Sequence, residues 1–232
     1  MKSSLKNFAV TSLAIWALAG AGMSTNAATV AVDPGLSWQG YMNVFETPQN
    51  GGAFLWGSGW GTADLCATWA GPVLTLSPNT IGDPDPYWYT PAGGPGAVGN
   101  KIMGANMYVE TTGVYSGQTV TFEGTVLANT LVGSVNQQGN GWTSVAFIKD
   151  FAPDYSSFNI VTVPMTPGFF SISLATDPNA ARHVQWGFET IGPDVWITDV
   201  GAYGSIQVIP EPGTLALLAL GLAIPVVLRR RQ

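Results

Sequence analysis

Apolar and polar positions alternate with a period of two through most of the chain. In the clearest stretch, Val120, Phe122 and Val126 share one parity, while threonines and Glu123 take the other. This pattern is typical of a strand with one face in a core and the other in water. No internal stretch sustains apolar residues at helical spacing, so we predict an all-β fold, an antiparallel sandwich with Gly-rich turns. The predicted strands are residues 41–46, 72–76, 102–110, 119–128, 143–151, 159–163, 170–174, 183–189 and 195–208.

The N-terminal segment has the three parts of a signal peptide. Lys2 and Lys6 precede an apolar run over residues 8–21, and small residues follow at 24–28. Cleavage by signal peptidase after Ala27 or Ala28 would leave a mature chain that starts near Thr29. We therefore predict a signal helix over residues 1–28 and a β-sandwich domain over residues 29–207. An uncleaved N-terminal anchor is the alternative.

The C-terminal segment joins a short motif, an apolar run and a basic tail. The motif is Pro210, Glu211 and Pro212, the run covers residues 215–228, and the tail is Arg229, Arg230 and Arg231. The run is short for a span of about 20 residues, but residues 208–214 bring it to that length. Arginines cross a bilayer poorly, so the tail is expected to stay cytoplasmic.

These three parts together resemble the PEP-CTERM sorting signal, which exosortase-type membrane proteases recognise. The resemblance covers residues 208–232 and implies exosortase as a partner, in addition to the signal peptidase. It also implies a C-terminal transmembrane helix that transiently anchors the chain in the inner membrane. The final location would be the cell surface or the extracellular space. A bare C-terminal anchor is the alternative.

Charge and cysteine content narrow the possible partners. The predicted domain holds thirteen acidic residues but only Lys101, Lys149 and Arg182 as cations. Nucleic acid is therefore not expected as a partner, because binding it requires cations that neutralise phosphates. We expect Arg182 to lie in solvent. Cys66 is the one cysteine, which excludes an intramolecular disulfide; we expect a buried thiol, with an intermolecular disulfide as the alternative.

Catalytic motifs are missing from the sequence. His183 is the only histidine, so a conventional zinc site has too few ligands, and no Gly-x-Ser-x-Gly or phosphate-binding loop is present. A glycosidase pair needs only two carboxylates at a suitable separation, which spacing alone does not reveal. We predict that the protein is not an enzyme. The carboxylates that could form such a pair are Glu110, Glu123, Glu189, Asp194 and Asp199.

The predicted domain resembles jelly-roll carbohydrate-binding modules of secreted glycoside hydrolases. The resemblance rests on Asn43-Val44-Phe45-Glu46 before a Trp-rich stretch, and on residues 183–189 leading through Asp199 to residues 204–208. It implies a jelly-roll fold and glycan binding. It also implies a possible structural calcium ion, with Glu46 and Asp199 as the ligands carried over. Two simply exposed carboxylates are the alternative.

Aromatic rings are the expected binding surface, because sugars stack their apolar C–H faces on flat rings. We assign Trp186 to the core, because it shares parity with Val184 and Phe188. The predicted ligand-binding residues are Tyr87, Trp88 and Tyr89 in a proline-rich loop, Trp142, and Gln185 and Glu189 on the face opposite Trp186.

Two functions remain after these arguments. In the first, the exported domain is a non-catalytic glycan-binding module that attaches to exopolysaccharide, a ligand suggested by analogy with exosortase systems. In the second, it is a structural surface or biofilm protein without a specific ligand, which packs against copies of itself.

Overall fold

The computed structural model describes residues 26–133 and 141–211. The predictions for the signal segment, the C-terminal apolar helix, Pro212 and the three arginines lie outside these residues. The described residues form two stacked six-stranded sheets and a two-stranded hairpin. Within them, no helix is long and apolar enough to span a membrane.

The fold is all-β, as the alternation predicts, with two short 3₁₀ turns at Pro48–Asn50 and Val200–Tyr203. The strands are β1 (Ala27–Ala31), β2 (Gln39–Glu46), β3 (Phe54–Trp60), β4 (Ala67–Ala70), β5 (Val73–Leu76), β6 (Tyr89–Thr90), β7 (Val98–Gly99), β8 (Lys101–Thr112), β9 (Thr119–Asn129), β10 (Thr143–Phe151), β11 (Phe158–Pro164), β12 (Gly168–Ala175), β13 (His183–Pro193) and β14 (Ile206–Ile209).

Each sheet is organised around one long strand. In the β9 sheet, β12 pairs with one edge of β9, while β1 and β14 share the other edge, and β14 continues to β5 and β4. The β13 sheet has the order β11-β10-β13-β8-β2-β3. The described strands pair antiparallel except for β1 with β9.

The core lies between the two sheets. Phe122 of β9 contacts Phe188 of β13 and Phe170 of β12, with ring centroids 5.4 Å and 5.3 Å apart. Trp186 is buried in the same cluster, which confirms its assignment to the core. Each such side chain contributes about 1.5–3 kcal/mol when it is fully buried.

One predicted strand is wrong. Residues 195–208 do not form a continuous strand; β13 ends at Pro193, and only β14 at Ile206–Ile209 is extended. The chain between them contains a 3₁₀ turn and then Gly204, whose φ is 76°. A Cβ at Gly204 would collide with the carbonyl oxygen of Thr130, so glycine is required where the chain turns into β14.

Arg182 does not lie in solvent, contrary to the prediction. Its Nε donates to Asp150 Oδ1 at 2.8 Å, and its Nη2 donates to the Asp150 carbonyl at 2.6 Å. The Arg182 side chain is 13% exposed and that of Asp150 is 0% exposed. Asp150 has the parity of Ile148, which faces the core, so its carboxylate needs a cation that reaches inside.

Both predicted domain boundaries fall within strands. β1 begins at Ala27, so cleavage after Ala27 or Ala28 would shorten it, and β14 continues past residue 207 to Ile209.

Cys66 is half-buried, with Sγ 3.8 Å from Thr80 Oγ1, and burial raises the pKa of its thiol.

Candidate functional site

The outer face of the β13 sheet carries a row of polar side chains. The strand register places Gln185 of β13 between Glu110 of β8 and Lys149 of β10, and it pairs Glu189 with Asn106 of β8. Because side chains alternate along a strand, Gln185 and Glu189 point away from the core that holds Trp186. The structure therefore confirms that these two residues lie on the face opposite Trp186.

This face forms an open groove of about 680 Å³. Polar side chains of β8, β10 and β13 line it together with Tyr108 of β8, and Phe158 and Ile160 belong to the edge strand β11. The lining residues are Gln39, Tyr41, Asn43, Asn106, Tyr108, Glu110, Lys149, Phe151, Tyr155, Phe158, Ile160, Gln185 and Glu189.

Glu110 connects the floor of the groove to its wall. Its Oε1 accepts a hydrogen bond from the Tyr155 hydroxyl at 3.0 Å, and its Oε2 accepts one from Gln185 Nε2 at 2.6 Å. Hydrogen bonds to a charged acceptor are stronger than those between neutral groups. Glu110 thus fixes both the tyrosine ring and the glutamine amide.

Asn106 forms the second polar junction of the floor. Its Oδ1 accepts from Lys149 Nζ at 2.9 Å, and its Nδ2 donates to Glu189 Oε1 at 3.3 Å. Burial lowers the pKa of Lys149, and the negative charge of Glu189 opposes that change. With two carboxylates and one ammonium, the groove carries an excess negative charge, which disfavours anionic ligands.

Two exposed rings flank this floor. Tyr155 is 48% exposed and Phe158 is 49% exposed, and the Phe158 ring lies 4.9 Å from that of Phe151. Tyr155 stacks on His183 with centroids 4.4 Å apart and an interplanar angle of 9°. Burial and the hydrogen bond to Glu110 raise the pKa of Tyr155 to about 12, so the hydroxyl stays a donor at neutral pH.

The backbone also holds Tyr155 in a defined position. Its φ is 58°, a left-handed conformation that non-glycine residues adopt infrequently. In the same turn, Asp154 Oδ1 accepts hydrogen bonds from the Ser156 backbone N–H at 3.1 Å and the Ser156 hydroxyl at 2.7 Å. The ring is thus oriented by its turn, by His183 and by Glu110.

The proline-rich loop presents fewer rings than the sequence indicates. Tyr89 is buried, and its hydroxyl lies 2.6 Å from the Ile81 carbonyl and 3.0 Å from that of Val195. Trp88 is half-buried and packs edge-on against Trp56. Of the three predicted loop residues, Tyr87 alone is exposed, and its hydroxyl accepts a hydrogen bond from Trp56 Nε1 at 3.2 Å.

The expectation of an accessible ring at Trp142 is wrong. Trp142 is 4% exposed, and its Nε1 donates to the Pro193 carbonyl at 3.0 Å. The ring packs over Gly192, where any Cβ would collide with it, and against Tyr203 at 4.8 Å between centroids. A missing side chain on β13 therefore makes room for this tryptophan.

The two residues proposed for calcium have different partners. Glu46 Oε2 pairs with Lys101 Nζ at 3.3 Å, whereas Asp199 Oδ2 accepts from the Gly96 N–H at 2.6 Å. The Lys101 ammonium competes with a metal ion for the Glu46 oxygens. Residues 26–133 and 141–211 contain no cluster of three or more His, Cys, Asp or Glu side chains that could hold a metal. These contacts do not fit the expected ligand set, and the calcium ion stays a prediction.

Asp194 is the carboxyl group with a strongly perturbed pKa, but it lies away from the groove. It is buried, its Oδ1 accepts from the Lys101 N–H at 3.1 Å, and its Oδ2 has no hydrogen-bond partner among the described residues. Burial raises its pKa to about 7, and the Lys101 contacts only partly offset this effect. Asp194 therefore lies in the protein interior and is not one of the residues that line the groove.

Replacing Asp194 with asparagine is expected to stabilise the protein at pH 8. The folded-state pKa lies above the unfolded value, so the group favours folding below about pH 4 and loses this contribution as pH rises to about 7. The Asp194→Asn substitution should raise the free energy of unfolding by roughly 1–3 kcal/mol at pH 8 and change it little at pH 4. Urea unfolding at both pH values measures the difference in the free energy of unfolding, with exposed Asp64→Asn as the control. An equal effect at both pH values would contradict the assignment.

Residues 208–231 match the family described as the PEP-CTERM protein-sorting motif. The chain carries a PEP-CTERM sorting signal. This signal implies that the protein is exported, processed by an exosortase and sorted at the membrane toward the cell surface. Pro210 and Glu211 belong to the matched range, as do Pro212 and the three arginines. No match is found among curated proteins or among solved structures.

Sequence reasoning named Glu110 only as a candidate for a carboxylate pair, and it did not assign Lys149 or Tyr155 to a binding site. Glu110 shares its parity with Asn106 in one predicted strand, and Lys149 shares its parity with Phe151 in another, so alternation places each pair on one face of its own strand. Tyr155 lies in the short connection between two predicted strands, which returns the chain to the sheet edge. The register of β8 against β13 was needed to bring these residues together.

Proposed function

We propose that the exported domain is a non-catalytic, jelly-roll-type glycan-binding module, and that the groove on the β13 sheet is its binding site. The arrangement of Tyr155 and Phe158 beside the Glu110–Gln185 network supports this proposal most strongly. Flat rings stack on the C–H faces of sugars, and amide and carboxylate groups hydrogen-bond to hydroxyls.

The charge of the groove favours a neutral glycan. Glu110 and Glu189 outnumber Lys149, and sugar hydroxyls can donate to carboxylates that would repel an anion. Sorting to the cell surface would bring the domain next to the exopolysaccharide of its own cell. Nucleic acid, with its dense negative charge, is not a partner in this proposal.

A non-catalytic role agrees with the contacts of Glu110. Both of its oxygens already accept hydrogen bonds from groove residues, so its carboxylate holds Tyr155 and Gln185 in position. Signal peptidase at the N-terminus and the inner membrane as a transient anchor complete the proposed route. The bound calcium ion predicted from the resemblance is tested by the chelator arm below.

An observation on the other sheet supports the second candidate function, a structural surface protein. Phe169 of β12 is 58% exposed and Leu127 of β9 is also exposed, both facing away from the core. Exposed apolar side chains on a sheet face favour association with other protein surfaces. Self-association through this face would not need the groove.

Binding to exopolysaccharide from the producing organism tests the proposal. Purified protein is mixed with the insoluble polymer, sedimented and quantified, with and without chelator. We expect saturable binding that weakens at least tenfold in a Tyr155→Ala/Phe158→Ala variant. Phe169→Ala serves as the control, because it removes an exposed ring from the opposite sheet.

The outcomes separate the two functions. Binding that survives the groove substitutions but fails in Tyr87→Ala or Trp88→Ala would move the site to the proline-rich loop. No binding under any condition, together with self-association that Phe169→Ala abolishes, would leave the structural role as the better account. Binding lost only in chelator would support the calcium ion.

A further inference from the structure

One side of the sandwich ends in two uncharged edge strands. In the part of the chain that the structure describes, β11 pairs with β10 alone and β12 pairs with β9 alone. Between Asp154 and Asp177 the sequence contains no charged residue. Edge strands are commonly protected by charged side chains, prolines or bulges, because their free N–H and carbonyl groups can pair with another strand. Residues 158–163 of β11 have none of these.

The hydrogen-bond pattern identifies the free backbone groups of β11. The Met165 N–H donates to the Ser144 carbonyl at 3.0 Å. In an antiparallel pair, bonded and non-bonded positions alternate, so every second residue back from Met165 turns its backbone groups toward β10. The intervening residues turn theirs outward, where no described strand pairs with them: Phe158, Ile160 and Thr162.

This edge is complementary to a second copy of itself. Phe158 is 49% exposed, Ile160 is 45% exposed, and Thr162 is exposed as well. In an antiparallel pairing centred on Ile160, this residue meets its own counterpart, and Phe158 of each copy faces Thr162 of the other. Every such pair can form two N–H···O bonds, and aromatic and β-branched residues are favourable cross-strand neighbours. Pro164, which lacks an N–H, stays outside this register.

Charge also favours contact between copies at this edge. The sandwich domain holds thirteen acidic residues and three cations, so two copies repel each other over most of their surfaces. The uncharged edge lacks this repulsion. It also offers no charged side chain to a partner that is recognised by charge, whereas an identical strand matches its length and its free backbone groups.

The other edge strands of the described residues fit a second copy less well. β3, at the far edge of the same sheet, has a shift in its pairing between Val44 and Phe45 of β2. β4 is four residues long, and the exposed residues in the middle of β12 are Ser171 and Ser173, which offer little side-chain contact. We propose that the protein forms a two-fold symmetric dimer in which the β11 strands of two copies pair antiparallel about Ile160.

The dimer joins the grooves of the two copies. Directly opposite residues lie on the same face of a sheet, and Phe158 and Ile160 line the groove of each copy. The two grooves therefore lie on one face of a continuous sheet, where a single polymer can occupy both and gain avidity. This consequence rests on the proposed function, whereas the pairing of β11 does not.

Sedimentation velocity of the exported protein, purified from the producing cell without added glycan, tests the pairing. We expect the mass of a dimer at micromolar concentration. Ile160→Lys sets two like charges against each other on the axis and should raise the dissociation constant at least about tenfold. Phe169→Lys places the same charge at an exposed position of the other sheet and should leave the dimer intact. Circular dichroism checks that both variants keep their β-structure.

Cysteine cross-linking of the full chain in its producing cell tests the register. In a Cys66→Ala background, Ile160→Cys places two cysteines whose Cα atoms lie about 5.5 Å apart, within the range of a disulfide. Thr162→Cys is the matched control, because its counterpart lies four residues along the strand, about 13 Å away. We expect a covalent dimer for Ile160→Cys and none for Thr162→Cys.

The remaining outcomes are distinct. A monomer at every concentration, a dimer that Ile160→Lys leaves intact, or one that Phe169→Lys also breaks would overturn the β11 contact. Equal cross-linking at both cysteine positions would overturn the register centred on Ile160. An intact dimer that binds no glycan would contradict the proposed function and leave the pairing in place.

Discussion

Replacing Arg182 with alanine is expected to destabilise the domain by about 3–5 kcal/mol, because it leaves a buried carboxylate without its cation. Asp150 is fully buried, and Arg182 supplies two of its hydrogen bonds, one to the carboxylate and one to the carbonyl. The remaining donor to the carboxylate is the backbone N–H of Asp177, at 2.8 Å from Oδ2. This single neutral N–H donor does not supply the positive charge that the Arg182 guanidinium places beside the Asp150 carboxylate.

Urea unfolding of a chain comprising residues 26–211 measures this effect. The double variant Asp150→Asn/Arg182→Ala is the control, since it removes the charge together with its partner and should recover part of the loss. An exposed ion pair contributes less than about 1 kcal/mol. If Arg182→Ala lowers the free energy of unfolding by no more than this, the result would contradict the burial of the pair.

Truncation at Gln207 is expected to have a similarly large effect. Compared with a chain that ends at Glu211, it removes Val208, whose burial is worth about 1.5–3 kcal/mol, together with the partly buried Ile209. It also removes the pairing of β14 residues with β9 and β5. We expect a loss of at least about 4 kcal/mol, a large share of the 5–15 kcal/mol typical of a domain.

Thermal unfolding of the two truncated chains provides the comparison. The chain ending at Glu211 should melt in one cooperative transition, whereas the chain ending at Gln207 should melt far lower or without a clear transition. Equal melting temperatures would show that β14 is dispensable for stability and would contradict this prediction.

Alternation predicted the long strands β8, β9, β10 and β13, because it is a local property of the backbone, but it did not predict β1, β3 or β4. Gln185, Glu189 and Trp186 were assigned to their correct faces from parity alone. The same rule does not say what covers a face. Phe147 has the outward parity of Lys149 yet is completely buried, and the Lys149 ammonium lies 4.1 Å above its ring.

Errors arose where distant parts of the chain determine the environment. Trp142 is buried because Gly192, far along the chain, leaves space for its ring. Arg182 is buried because Asp150 lies 32 positions away on an inward-facing site. Tyr89 follows two more accessible aromatic residues, but its hydroxyl reaches carbonyls in two other segments. None of these contacts leaves a local signal in the sequence.

Oxidative footprinting of aromatic side chains, with and without soluble fragments of the exopolysaccharide, tests the groove most directly. Tyr155 and Phe158 form the proposed site, while Tyr87 and Phe169 are exposed elsewhere and serve as internal controls. We predict that ligand protects Tyr155 and Phe158 from oxidation and leaves Tyr87 and Phe169 unchanged. Protection of Tyr87 or Phe169 without protection of Tyr155 and Phe158 would contradict the proposed binding site.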